Sequence, residues 1–320
     1  MGQNVRVKRF ATGCIDASLR ACGGFLRVLF RLLGWRGISF LGKLAGDCLF
    51  LADRRRRGIL EEELARLFSG RRERPGVRTI ARKSCEHFAM RLFETAFFGS
   101  LDRRTTEAAA RCEGLEHLDQ ALARGKGVIL LLSHFGSFLL PLPFLGFRGY
   151  AVNQITGKQV HRGILAERIW LWRKREADRL PVRFRQVDRF LRPVYHALRG
   201  NEIVAIAFDG RDSSQWAIVD FFGRRARFST GPFELARRTG AAVVPTFVIR
   251  EPGGRHRIEF REEFRLSGAE GPEHAIEEDV RAFAKMFENY VERYPCHFGM
   301  VLYNLRRMPA DQATALFLDA

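Results

Sequence analysis

No two cysteines in this 320-residue chain are spaced as a C-x-x-C pair. The six present, Cys14, Cys22, Cys48, Cys85, Cys112 and Cys296, form no cysteine–histidine grouping with zinc-finger spacing. They read as free thiols of a reducing compartment. No run of about 20 apolar residues is free of charge, which argues against a simple spanning helix. The first residues include Arg6, Lys8, Arg9 and Asp16 without a continuous apolar core, so a cleavable signal peptide is not expected. Arg6 also stands where a myristoylation signal carries Ser or Thr. Internal repeats and low-complexity linkers are lacking. Acidic side chains are in deficit: 36 Asp and Glu face 54 Lys and Arg, for a net charge of +18. Such a surface attracts nucleic acid, anionic lipid headgroups or an acidic protein. No zinc-finger spacing and no aromatic-rich RNA-binding strand motif accompany the charge. Nucleic acid is therefore not the expected partner.

Phenylalanine is abundant, with 28 residues against 5 Tyr and 4 Trp. That excess suits an apolar cavity, a membrane-facing surface or a large packed core. The first concentration of it falls in residues 23–52, where Phe25, Leu26, Val28, Leu29, Phe30, Leu32, Leu33 and Trp35 alternate with Arg27, Arg31 and Arg36. The run continues through Ile38, Phe40, Leu41, Leu44, Leu49 and Phe50, broken by Lys43 and Asp47, and an Arg54 to Arg57 cluster follows. A basic amphipathic helix of this kind reads as lying in a membrane interface. The alternative is a helix packed on the protein's own core. The expected division is a membrane-association region over 1–53 and a single domain over 54–310.

From residue 54 to 126 the pattern is helical, with helices over 59–68, 80–98 and 115–123. Beyond it, strands and helices alternate. Strands are expected at Val128–Leu132 and at 150–155, 203–208, 216–222, 243–249, 256–264 and 298–303. Helices are expected over 164–179, 187–199, 233–238 and 272–293, with a further one begun at Ser137 and cut short by Pro141 and Pro143. This alternation predicts an α/β fold with a mixed, mostly parallel central sheet covered by helices on both faces.

Two of the apolar strands end in residues suited to proton transfer. Val128–Leu132 delivers Ser133 and His134, closed by Phe135 and Gly136. Residues 203–208 deliver Asp209. If the strands run the same way, their carboxyl ends share the sheet edge where open α/β folds bind ligands. A histidine there can take a proton from a hydroxyl near neutral pH. An aspartate beside it fixes the ring tautomer and favours the imidazolium. The plainer alternatives are a turn histidine and a turn-forming Asp209 before Gly210. A third element, residues 220–232, turns at Gly223 and reads as a basic loop carrying Arg224, Arg225 and Arg227. Their planar forks suit phosphate, with Ser229, Thr230 and the next helix N-terminus beside them. Arg211, just past Asp209, belongs to the same candidate binding set, as do Ser133 and Gly136. Phe138, Leu139, Leu140 and Phe144 read as the lining of an apolar channel or as core, with core favoured. His87 and His117 lie in helical segments that suit packing or capping, His161 and His196 fall on central helices, and His256 faces an Arg-rich turn; His297 could approach the site.

In this order the pieces resemble one family. Ser133-His134-Phe135-Gly136, Asp209-Gly210, Phe221-Phe222-Gly223 and the stretch from Gly231-Pro232-Phe233-Glu234 to Val244-Pro245 are similar to the bacterial lipid A late (lauroyl/myristoyl) acyltransferases, within the wider glycerolipid and lysophospholipid acyltransferase group. Gly114-Leu115-Glu116-His117-Leu118 and Gly125-Lys126-Gly127-Val128 extend the resemblance upstream, and it spans residues 25–305. It implies transfer of a fatty acyl chain from an acyl carrier protein or acyl-CoA thioester to a hydroxyl or amine of an anionic lipid or glycolipid. His134 would be the general base, no metal or resident cofactor would be needed, and the Arg224–Arg227 region would meet the acceptor. It also implies work at the cytoplasmic face of a bacterial inner membrane, as a peripheral or monotopic protein in lipid A biosynthesis. Two departures stand out. The family carries Asp or Glu five positions after its histidine, where this chain has Leu139, and its tryptophan-rich ending is here Tyr294-Pro295-Cys296-His297-Phe298-Gly299. Either Asp209 supplies the carboxylate, or the histidine works unassisted, or the protein is a non-catalytic lipid binder.

Overall fold

The structure, a computed structural model, describes residues 2–69, 76–156, 163–186, 191–210, 213, 215–306 and 316–318. The N-terminal part is helical: α1 (Gly2–Ala52), α2 (Arg54–Leu67), α3 (Val77–Ala96) and α4 (Arg103–Ala109). The α/β part follows as β1 (Ala110–Glu113), α5 (Leu115–Ala123), β2 (Val128–Leu132), α6 (Pro141–Gly146), β3 (Val152–Thr156), α7 (Ile164–Ala177), β4 (Arg183–Gln186), α8 (Arg192–Arg199) and β5 (Ile203–Ala207). Then come β6 (Trp216–Phe221), β7 (Arg224–Ser229), α9 (Gly231–Thr239), β8 (Ala242–Arg250), β9 (His256–Phe260), α10 (Pro272–Arg293) and α11 (Gly299–Arg306).

Seven strands form one sheet in the order β1-β9-β8-β2-β5-β3-β4. Every pairing is parallel except β8 with β9. The sheet is thus mixed and mostly parallel, as the alternation predicts. β2 is central, and all five of its residues are buried. Its side chains divide by the period of two: Ile129 and Leu131 join the core beneath α8, α9 and α10, while Val128, Leu130 and Leu132 join the core beneath α1, α5 and α6. The phenylalanine excess goes largely inside. Among the described residues, the twelve largest fully buried side chains are all Phe, including Phe135, Phe208, Phe221, Phe283 and Phe287. Burying each contributes roughly 1.5–3 kcal/mol.

Helix α1 is interrupted at Gly34, whose backbone is non-helical (φ 60°, ψ −174°). Phe30, Trp35, Ile38 and Phe50 are buried against the domain, whereas Phe25, Val28, Leu32, Phe40, Leu44 and Leu51 are exposed. The reading of a helix packed on the protein's own core therefore holds for one face, and the opposite face presents exposed apolar side chains. Docking relies on two glycines one turn apart. A side chain at Gly42 would meet the Met90 backbone Cα at 2.6 Å, and one at Gly46 would collide with the Glu86 backbone on α3. The close crossing is flanked by Arg82 Nε to Asp47 Oδ1 at 2.7 Å. Gly46→Val is expected to force the helices apart and cost about 1–3 kcal/mol. The measurement is the urea midpoint at constant m-value, and an unchanged midpoint would refute the crossing.

Four expectations need correction. Pro141 opens α6 instead of cutting a helix short, because its missing N–H is no loss at a first-turn position. Residues 298–303 are not a strand: Gly299–Arg306 is helix α11, whose bare Gly299 approaches Ser84 of α3. A run of five or six apolar residues has no periodicity to separate the two states. Arg224–Ser229 is not a loop but strand β7, hairpinned antiparallel to β6. The helix expected over 187–199 begins at Arg192; residues 187–190 lie outside the described residues, and the short strand β4 precedes them.

Candidate active site

β2 and β5 are parallel neighbours in register, Leu132 opposite Ala207. Two residues past each strand, the chain presents His134 and Asp209 at the same edge. His134 Nδ1 lies 3.0 Å from Asp209 Oδ1. The backbone N–H of His134 also donates to both Asp209 oxygens, each at 3.0 Å. The Asp209 side chain is 2% exposed and that of His134 39% exposed. A carboxylate on Nδ1 fixes the neutral ring with its proton there, leaving the Nε2 lone pair free for a substrate. Phe138 packs edge-on to the imidazole at 4.7 Å between ring centres.

Gly136 has φ +59°, and a side chain there would strike the Val248 carbonyl. Its N–H donates to the His297 carbonyl at 3.2 Å. Ser133 is buried, and its hydroxyl has no hydrogen-bond partner among the described residues. Phe138 and Leu139 are half-buried at the site, while Leu140 and Phe144 are core. Arg211 lies outside the described residues. The hairpin meets this edge through Ser229, whose N–H donates to the Phe208 carbonyl at 3.2 Å. Arg224 sits at the opposite end of β7, about 17 Å along the strand from Ser229. Its guanidinium lies 3.9 Å over the Phe317 ring. Arg225 and Arg227 occupy the other pleat face, Arg227 nearer the Asp209 edge.

Sequence reasoning missed a buried polar cluster beneath the His134 turn. Glu94 of α3 and Arg250 at the end of β8 pair with side chains 2% and 5% exposed. Burial raises the Glu94 carboxyl, and the Arg250 charge and hydrogen bonds outweigh this, holding it below its ordinary value. Ser137 Oγ donates to Glu94 Oε2 at 2.7 Å. Glutamate and arginine are ordinary on a helix and at a strand end, so no local signal marked them. His297 is drawn in as well: its ring stacks on Phe135 at 5.0 Å, and Nε2 accepts the Arg250 backbone N–H at 2.9 Å.

His87, Cys296 and His297 bring three ligand-type atoms within 4.8 Å of one another. They do not fit a metal as arranged. With Nε2 accepting from Arg250, the neutral His297 ring carries its proton on Nδ1, the atom 3.6 Å from Cys296 Sγ. The thiol is pushed up to about 11 by burial, which favours the protonated form.

A partly exposed imidazole braced by a buried carboxylate, at the carboxyl edge of a mostly parallel sheet, defines the class: α/β proteins with a histidine–carboxylate pair at the strand ends. Residues 19–307 match the family described as bacterial lipid A biosynthesis acyltransferase, and the chain belongs to that family. A lipid A biosynthesis acyltransferase of Haemophilus influenzae is 27% identical over 197 residues, covering 60% of this chain and 58% of that protein. A phosphatidylinositol mannoside acyltransferase of Mycobacterium tuberculosis is 31% identical over 134 residues, 42% of each chain. The matched stretches thus span about half the length of these curated relatives.

Proposed function

We propose that this protein transfers a fatty acyl group from an acyl carrier protein or acyl-CoA thioester to a hydroxyl or amine of an anionic lipid or glycolipid. The observation that carries the reading is the His134–Asp209 pair, in which the buried carboxylate engages Nδ1 of a partly exposed ring. Nε2 takes the acceptor proton as its oxygen or nitrogen attacks the thioester carbonyl. Asp209 stabilises the imidazolium. The tetrahedral intermediate collapses by breaking the carbon–sulfur bond. The thiolate regains the proton from His134, giving the ester or amide and a free thiol. No resident cofactor is needed on this route.

The names of the relatives support an anionic glycolipid acceptor. Arg227 and Arg225, with Arg211 outside the described residues, are the side chains assigned to its charges or to those of the donor, and Arg224 is the least available. Among the described residues, no helix is long and apolar enough to cross a membrane. The exposed Phe25, Val28 and Leu32 recur at helical spacing on α1, and Ile164, Leu165 and Ile169 are exposed on the neighbouring α7. With a net charge of +18, that surface suits an anionic leaflet. Residues 1–53 would lie at the interface on the cytoplasmic side of a bacterial inner membrane, with 54–310 carrying the chemistry.

The rival reading is a lipid binder without catalysis, motivated by Leu139. It is disfavoured by the Asp209 carboxylate, which braces the ring from the neighbouring strand. The test supplies purified protein with a radiolabelled acyl thioester, on carrier protein or CoA, and anionic vesicles containing a lipid A precursor or a phosphatidylinositol mannoside. Labelled lipid above the no-protein rate is expected. Vesicle binding with no transfer from either donor would establish the rival.

A further inference from the structure

We propose that Glu94 is a positioning residue for the transfer, acting through Ser137 and Arg250 on the turn that carries His134. This rests on the assignment of His134 as the base and adds the device that aims it. The turn after β2 has no ladder of its own. Its fixation comes from three directions. Asp209 holds the His134 backbone and ring from β5. The Gly136 N–H is held by the His297 carbonyl. Ser137 is held from below by Glu94 and Arg250.

These last contacts close a ring. Ser137 Oγ donates its single proton to Glu94 Oε2 at 2.7 Å and accepts from Arg250 Nη2 at 3.0 Å. Arg250 Nη1 donates to Glu94 Oε1, and Nη2 to Glu94 Oε2 at 3.1 Å. The Arg250 backbone N–H donates to His297 Nε2 at 2.9 Å, and the His297 carbonyl returns to Gly136. One helix, one strand end and the C-terminal segment therefore converge on Gly136 and Ser137, two and three residues past the base. A buried ion pair is an inefficient source of stability, because its desolvation cost offsets its attraction. What it does provide is a fixed geometry, since every donor and acceptor in the ring has one arrangement that satisfies all. Where the resemblance calls for an acid on the turn itself, at the position of Leu139, this chain brings a carboxylate to the same turn from α3.

Ser137→Ala in the full chain is the primary test, because it keeps the Glu94–Arg250 pair intact. It should lower kcat about tenfold to a hundredfold, the range for a misaimed catalytic group. KM for thioester and lipid should stay within about twofold, since ground-state binding is untouched. Ser137→Thr, which restores the hydroxyl, should recover most of the rate. The His134 ring resonances should broaden in Ser137→Ala and not in Ser137→Thr. Glu94→Gln should show the same kcat-specific loss if it folds. Wild-type kcat in Ser137→Ala, or a loss matched by a rise in KM and a fall in thermal midpoint, would overturn the proposal. The two assignments separate cleanly. An active His134→Ala variant defeats the base assignment. An inactive His134→Ala beside a fully active Ser137→Ala defeats only the positioning role.

Discussion

Replacing His134 by alanine is expected to lower kcat by about 10²–10⁴-fold while the protein stays folded and still binds vesicles. The side chain is partly exposed at the sheet edge, so its removal leaves no buried cavity and a small stability change. Asp209→Asn should approach the same loss, up to about 10⁴-fold, by a different route. Asp209 accepts from the His134 backbone N–H and from Nδ1 at once. An amide can accept with its oxygen only. Its NH₂ group turned toward the ring would ask Nδ1 to accept, moving the ring proton to Nε2 and blocking the base. Because the two residues act as a unit, the double variant should be scarcely slower than His134→Ala alone. Steady-state rates with saturating thioester and lipid decide this. Full activity in His134→Ala would end the mechanism, and additive losses in the double variant would show that Asp209 acts on something else.

The second large effect is acid lability. His256 is fully buried and His297 nearly so. Burial first, and the Arg250 charge second, lower His256 to about 4 and His297 to about 3, from an ordinary 6.5. The folded state therefore refuses protons that the unfolded chain accepts. Stability from keeping these rings neutral is present in full above about pH 6.5 and is lost as pH falls toward 4. Each ring contributes a slope on the order of 1.4 kcal/mol per pH unit in that window. Together they should remove about 3 kcal/mol per unit, a large share of a domain's net stability. Glu94, held below its ordinary value, contributes in the same sense at lower pH, where its charge is finally lost. His256→Phe isolates one ring. The His256 side chain has one close charged neighbour among the described residues, Glu94 Oε1, at 3.7 Å from Nε2 and beyond hydrogen-bond reach. Phenylalanine should therefore cost little at pH 7.5 and confer an advantage at pH 5. Urea unfolding at pH 7.5, 6 and 5 reads the difference directly. Parallel curves for the two proteins would refute the assignment.

How much of this is legible in the chain follows from where the information resides. The limits of β2, α5 and α10 can be read from residue pattern and punctuation, because each is a buried apolar run or an amphipathic helix bounded by Gly or Pro. The pairing of His134 with Asp209 needed only one further assumption, that two apolar strands run alongside each other. The edge strands β1 and β4 were invisible. Ala-Arg-Cys-Glu and Arg-Phe-Arg-Gln carry no apolar run, and they are strands because a neighbour offers a ladder. β7 was hidden in the same way: its arginines read as a loop, yet Ala226 and Phe228, on either side of Arg227, face the core. Glu94 and Arg250 lie 156 residues apart, and nothing in either neighbourhood announces a buried charge.

The double hold of Asp209 on His134, through the main chain and the ring together, leaves the imidazole no room to swing. On the proposed route, the nitrogen that accepts a proton from the acceptor surrenders it to the thiolate without travelling. Nucleophile and departing sulfur then meet at a single spot, with both molecules seated before any bond changes. A ternary complex is the kinetic signature of that constraint: intersecting double-reciprocal lines instead of the parallel ones of a relay through an acylated protein.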